Sequence, residues 1–162
     1  MLIALGFFLF NNKYQMEDPN KLKYFSDQYT NMAQLLILHN GKRCEALGKL
    51  VETSYWSMCL PKNNFSRVPE DCISDFNILI KWQEKIDKKI FKLHNEIDKT
   101  YTDSELRQNE KNKIGLRYVV SKMHMSPQIE KVLCAIYSIS MTLYRISNLP
   151  NNEKNKIRFV KI

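Results

Sequence analysis

A chain of 162 residues, 44% of them hydrophobic, falls within the size range of one domain and is too apolar for a disordered segment. Four Gly and five Pro are too few for the turns of a β-sandwich or barrel, and Gly6, Gly41, Gly48 and Gly115 form no phosphate-loop or dinucleotide-fold spacing. The formal net charge of +8 invites a nucleic-acid reading, but it is unevenly placed. Residues 1–60 carry six Lys/Arg against five Asp/Glu, residues 61–110 nine against ten, and residues 111–162 ten against two. The excess belongs to the last third, where Lys111, Lys113, Arg117, Lys122, Lys154, Lys156, Arg158 and Lys161 make a candidate basic surface. A compositional origin competes with that reading, because Lys outnumbers Arg 19 to 6 and Asn occurs 15 times.

Residues 1–10 (MLIALGFFLF) are almost wholly apolar. Ten residues rise about 15 Å as a helix, half a bilayer core, so the run does not span a membrane by itself. It is similar to the apolar core of a secretory signal, but no Lys or Arg precedes it and no small-residue cleavage site follows. Two readings stay open: export or membrane anchoring through residues 1–10, or a buried first strand or helix. Residues 1–17 form this N-terminal segment, 18–150 a helical bundle and 151–162 a basic tail.

Asp18-Pro19 opens the first helix, with Leu22, Phe25, Tyr29, Met32 and Leu36 at alternating three- and four-residue steps. Asn40-Gly41 stops it. A second helix is expected from about 42 to 58, with Cys44, Leu47, Val51, Tyr55 and Met58 on one side and Pro61 ending it. Residues 60–68 read as a polar loop, and Pro69-Glu70-Asp71 starts a third helix. In that helix Leu79, Ile86 and Leu93 recur at seven, as do Phe76, Gln83, Ile90 and Ile97. This a/d seam of about three heptads is short for a free coiled coil, so packing within the chain is expected.

Thr102-Asp103-Ser104-Glu105 reads as a capping box for a fourth helix, with Leu116, Val119, Val120 and Met123 as its late apolar positions. Ser126-Pro127 begins a fifth, in which Ile129, Val132, Leu133, Ile136, Leu143 and Ile146 make a broad stripe; Asn148 and Pro150 stop it. The tail alternates Lys156, Arg158 and Lys161 with Ile157, Phe159, Val160 and Ile162. It is either a strand pairing with the apolar N-terminus or a basic arm. The fold class is all-α, a four- or five-helix bundle.

Cys59 ends the second helix and Cys72 begins the third, with 12 residues between them. A bridge there would clip two helix ends together and add about 3 kcal/mol. Cys44 and Cys134 lie on apolar stripes and would face each other in the core. The alternative is four reduced thiols packed as small hydrophobes. His39, His94 and His124 are scattered and no two Cys stand two to four apart, so neither a metal nor a cofactor is expected. Asn64-Phe65-Ser66 fits the glycosylation pattern, although 15 Asn make one match expected by chance. Tyr55, Trp56, Tyr118, Tyr137 and Tyr144, with Arg117 and Arg145, would suit a stacking surface for bases or the half-buried rim of a core.

Arg117 and His124 are separated by six residues. The pair resembles the Arg-to-His motif of the HEPN ribonucleases, which are helical bundles of similar size. The resemblance covers two residues, and the position after the Arg, usually Asn or another polar residue in that family, is Tyr118 here. It implies that Arg117 and His124 would serve an in-line attack by an RNA 2′-hydroxyl.

The leading function class is a non-enzymatic interaction protein of the inhibitor, immunity or adaptor type, binding another protein and exported if the N-terminal run is a signal. The second is a cytosolic protein that binds or cuts nucleic acid through residues 111–162. The first expects oxidised cysteines and indifference to nucleic acid. The second expects reduced cysteines and retention that weakens steeply with salt.

Overall fold

In the computed structural model, residues 15–38, 43–122 and 127–162 are described; the apolar run 1–10, the stop at 40–41 and the cap residue Ser126 lie outside them. Asp18 Oδ1 accepts from the Asn20 N–H at 2.9 Å and Pro19 takes the first helical position, as expected of that pair. Helix α1 (Pro19–Leu38) buries Leu22, Phe25, Tyr29, Met32 and Leu36, the face its spacing defines.

The expected second helix is two pieces, α2 (Arg43–Leu50) and α3 (Ser54–Cys59). Thr53 makes the break: its Oγ1 and its N–H both donate to Leu50 O, at 2.6 and 3.0 Å. A hydroxyl that bonds the backbone locally competes with the helical ladder.

The stretch expected to be a polar loop holds α4 (Pro61–Asn64) and β1 (Arg67–Pro69). Between them Phe65 is fully buried, edge-to-face with Phe25 at 4.5 Å and Phe76 at 5.9 Å, while Tyr29 meets Phe76 at 5.9 Å. Asn64 Nδ2 donates to Ser57 O at 3.0 Å and Leu60 O at 2.9 Å, so the amide of the glycosylation pattern is used within the fold.

A 3-10 turn (Glu70–Cys72) leads into α5 (Ile73–Thr100), a 28-residue helix about 42 Å long. Phe76, Leu79, Trp82, Gln83 and Ile86 bury its first half, whereas beyond Ile86 only Ile97 is buried and Ile90 and Leu93 are half-buried. The expected fourth helix is also two, α6 (Ser104–Asn112) and α7 (Leu116–Ser121), and the N-cap of α6 is Asp103 rather than Thr102. Asp103 Oδ1 accepts from the Glu105 N–H at 3.0 Å.

Helix α8 (Pro127–Ser147) packs most extensively on α1 and next on α5. It runs antiparallel to α5: Ser138 Oγ donates to Asp75 Oδ2 at 2.7 Å, and Lys85 Nζ donates to Gln128 Oε1 at 3.0 Å. A short α9 (Asn151–Lys154) precedes β2 (Phe159–Lys161). The tail is therefore a strand, and its partner among the described residues is β1, with Val68 opposite Val160 in an antiparallel pair that Glu70 N–H extends to Arg158 O at 2.8 Å. One hydrophobic cluster runs from Met16 through Ile146, so the fold is an all-α bundle with a two-stranded ribbon.

Cys59 and Cys72 are free thiols, and the bridge expected from their spacing is not formed. Both are core residues with other neighbours: the Tyr29 hydroxyl donates to Cys59 O at 2.7 Å, and the Cys72 thiol donates to Pro69 O at 3.5 Å. Cys134 is exposed on α8 and so does not enter the core against Cys44, whose side chain lies outside those described. Burial pushes the Cys59 thiol and the Tyr29 phenol well above their ordinary ranges. Burial, with the carboxylates of Asp75 and Asp71 nearby, pushes Cys72 up to about 12.

These groups contribute to the loss of stability at alkaline pH. The unfolded chain sheds thiol protons from about pH 9 while the folded chain keeps them, so their contribution is full below about pH 9 and is lost as pH rises toward 12. Urea unfolding across a pH series should show stability falling above about pH 9, and a flat profile there would contradict the burial. In the native protein Cys134 should react at once with a thiol reagent, and Cys59 and Cys72 only on unfolding. Gln83 Oε1 is buried without a hydrogen-bond partner among the described residues. Gln83→Leu should therefore stabilise by about 1–2 kcal/mol and raise Tm by roughly 3–6 °C; a lower Tm in thermal unfolding would contradict this.

Candidate functional site

The sequence places the positive charge in residues 111–162, and the fold divides it. Lys111 pairs with Asp98 near the end of α5 at 2.6 Å, while Arg158 pairs with Glu70 at 3.7 Å and Arg145 with Asp71 at 2.9 Å before its start. Those two groups of acids are about 40 Å apart along the helix. Residues 111–162 thus do not form one basic patch. Most of the named charges are also paired: Lys113 with Glu110 at 2.9 Å, Lys156 with Glu153 at 3.3 Å, and Arg117 with Glu52. Lys122 lies over the Tyr118 ring, 5.2 Å from its centroid, Lys161 is exposed on β2 and Lys154 is half-buried on α9. The hydrogen bond from Lys111 holds the Asp98 carboxyl below its usual range, and the hydrogen bond to Glu110 raises Lys113. Exposed pairs of this kind contribute about 0–1 kcal/mol each and mainly neutralise one another.

A second basic feature lies on α5, in the part of the chain where the charges sum to about zero. Lys81, Lys85, Lys88 and Lys92 follow one another at steps of four, three and four. At 100° per residue they share an arc of about 60° over some 16 Å of helix, and no Asp or Glu between 81 and 92 enters that arc. All four are exposed. Of the acids of α5, Asp75 accepts from Ser138, Glu84 pairs with Lys62 at 3.8 Å and Asp98 with Lys111, while Glu96 stands one turn beyond Lys92. None of the four lysines makes an ion pair among the described residues.

The row begins at a cleft. Where α5 and α8 run side by side, Lys81, Trp82 and Lys85 face Gln128, Lys131 and Val132 across a space of about 250 Å³. No carboxylate lines it. The signal for these residues was present in the chain but hidden by counting along it. Summation over residues 61–110 cancels lysines on one face of α5 against acids on others, and Lys131 comes from a different helix.

The remaining expected sites separate. Arg117 is taken up by Glu52, and His124 lies outside the described residues, so the pair resembling the HEPN motif is not assembled by those described. Of the aromatic residues considered for stacking, Trp56 is buried and packs edge-to-face on Trp82 at 5.3 Å, Tyr55 and Tyr137 are half-buried, and Tyr118 and Tyr144 are exposed. His94 is structural, its Nε2–H donating to Ile114 O at 3.0 Å across the junction of α6 and α7. Among the described residues no group of three or more His, Cys, Asp and Glu side chains could hold a metal ion, and no helix is long and apolar enough to cross a membrane. No protein family, curated protein or solved structure matches this chain in comparison.

Proposed function

We propose that this protein binds nucleic acid through the phosphate backbone, without sequence readout, and that α5 is the element in contact. The observation that carries the reading is the exposed lysine row at 81, 85, 88 and 92, which makes no ion pair among the described residues. A row of ammonium groups about 5–6 Å apart along a helix matches a line of phosphates, and each contact releases condensed counterions. Residues 111–162, first expected to carry this role, have most of their named cations paired with neighbouring carboxylates. Arg and Lys held in such pairs must exchange one anion for another, which removes much of the gain. The lysines of the row make no ion pair among the described residues.

A protein partner is favoured by a different observation. On α8, Cys134, Met141 and Tyr144 share the face turned away from the core, with half-buried Tyr137 between them and Met141 73% and Tyr144 64% exposed. Such a strip suits an inhibitor, immunity or adaptor protein, and this reading predicts no nucleic-acid retention and silent lysine-row variants.

Anisotropy of a labelled single-stranded oligonucleotide across a salt series tests the proposal. Four backbone contacts give a slope of log K against log salt of about −3, and Lys88→Gln with Lys92→Gln should reduce it by about 1.4. Lys156→Gln with Lys161→Gln should leave it near the parent value. Absence of binding at about 50 mM salt, or loss confined to the tail variant, would overturn the assignment to α5.

A further inference from the structure

The cleft at the head of the lysine row has a chemistry of its own. We propose that it is a site for a phosphomonoester, and that it seats the terminal phosphate of the strand whose backbone follows Lys88 and Lys92; this rests on the nucleic-acid reading above. Lys81 and Lys85 stand one turn apart on α5, and Lys131 faces them from α8. Gln128 Oε1 accepts from Lys85 Nζ at 3.0 Å, an exposed contact that joins the two sides of the cleft. The wall behind them is apolar, built from Trp82, Ile78 and Val132. Three like charges on one small cleft, with no carboxylate among its lining residues, repel one another until an anion enters.

The form of the site selects the anion. Two negative charges and three acceptor oxygens on a terminal phosphomonoester can accept from three ammonium groups at once, whereas an internal phosphodiester offers one charge and two free oxygens. The first turn of α8, which also carries Glu130, borders the cleft through Gln128. The volume of about 250 Å³ lies below the roughly 300–1,000 Å³ of pockets that enclose a drug-sized ligand. It therefore admits a phosphoryl group with part of its sugar, not a whole folded ligand. Lys81 and Lys85 belong to both cleft and row, so a seated terminal phosphate leaves the next ones beside Lys88 and Lys92.

The test compares an oligothymidylate bearing a 5′-phosphate with the same strand ending in a 5′-hydroxyl, both labelled at the 3′ end, and adds thymidine monophosphate as a free ligand by calorimetry. The phosphorylated strand should bind about tenfold more tightly, and Lys131→Gln should bring the ratio to about one, as should Lys81→Gln. Equal binding of the two strands by the parent protein overturns the cleft assignment and leaves the nucleic-acid reading standing. Binding of thymidine monophosphate that Lys131→Gln abolishes, with neither strand retained, upholds the phosphomonoester site, assigns it to a free ligand and overturns the nucleic-acid reading. No binding of strand or monophosphate overturns both.

Discussion

Burial of one stripe of α5 decides where everything else on that helix must point. Phe76, Leu79, Trp82, Gln83 and Ile86 lock its first half into the bundle, and a rigid helix then gives every other side chain a fixed direction. Because α5 runs 28 residues without a break, it also sets the longest fixed spacing in the described fold. Asp98 and Glu70 are held about 40 Å apart, and the cations that seek them are separated by the same distance. The division of the basic C-terminal third and the outward row of lysines are two consequences of one buried seam.

The core around that seam relies on aromatic edges as much as on aliphatic stripes. Phe25, Phe65, Phe76 and Tyr29 meet edge-to-face in succession, and Trp56 meets Trp82 in the same way. Such contacts add about 0.5–1.5 kcal/mol each beyond area burial and fix relative helix positions more tightly than Leu or Ile would. Trp82 joins this core to the cleft, since the residue that closes one wall of the cleft is held by Trp56 from behind.

Much of the helical plan was legible because periodic burial writes itself into the chain. The faces of α1, α5 and α8 follow from three- and four-residue steps, and Asp18-Pro19 marks a start that the hydrogen bond to Asn20 realises. What was not legible has specific causes. Phe65 is one apolar residue among polar neighbours, so no periodicity announces that it is the centre of an aromatic contact. Thr53 breaks a helix by bonding its own backbone, a choice made locally against an apolar pattern that continues through Val51 and Tyr55. The partner of β2 is about 90 residues away in sequence, beyond what alternation in the tail can specify. Cys59 and Cys72 are close in sequence, but their spacing does not say which way each thiol faces, and both serve the core unbridged.

The charge carries the sharpest lesson. Counted in sequence the excess lies in the last third; counted by helix face, four lysines also add on one side of α5. Lysine acylation under limiting reagent, mapped by mass spectrometry with and without a single-stranded oligonucleotide, reads this difference residue by residue. Protection of Lys81, Lys85, Lys88 and Lys92, with Lys154 and Lys161 modified equally in both samples, is the predicted result. Protection confined to the C-terminal lysines, or no protection anywhere, would contradict it.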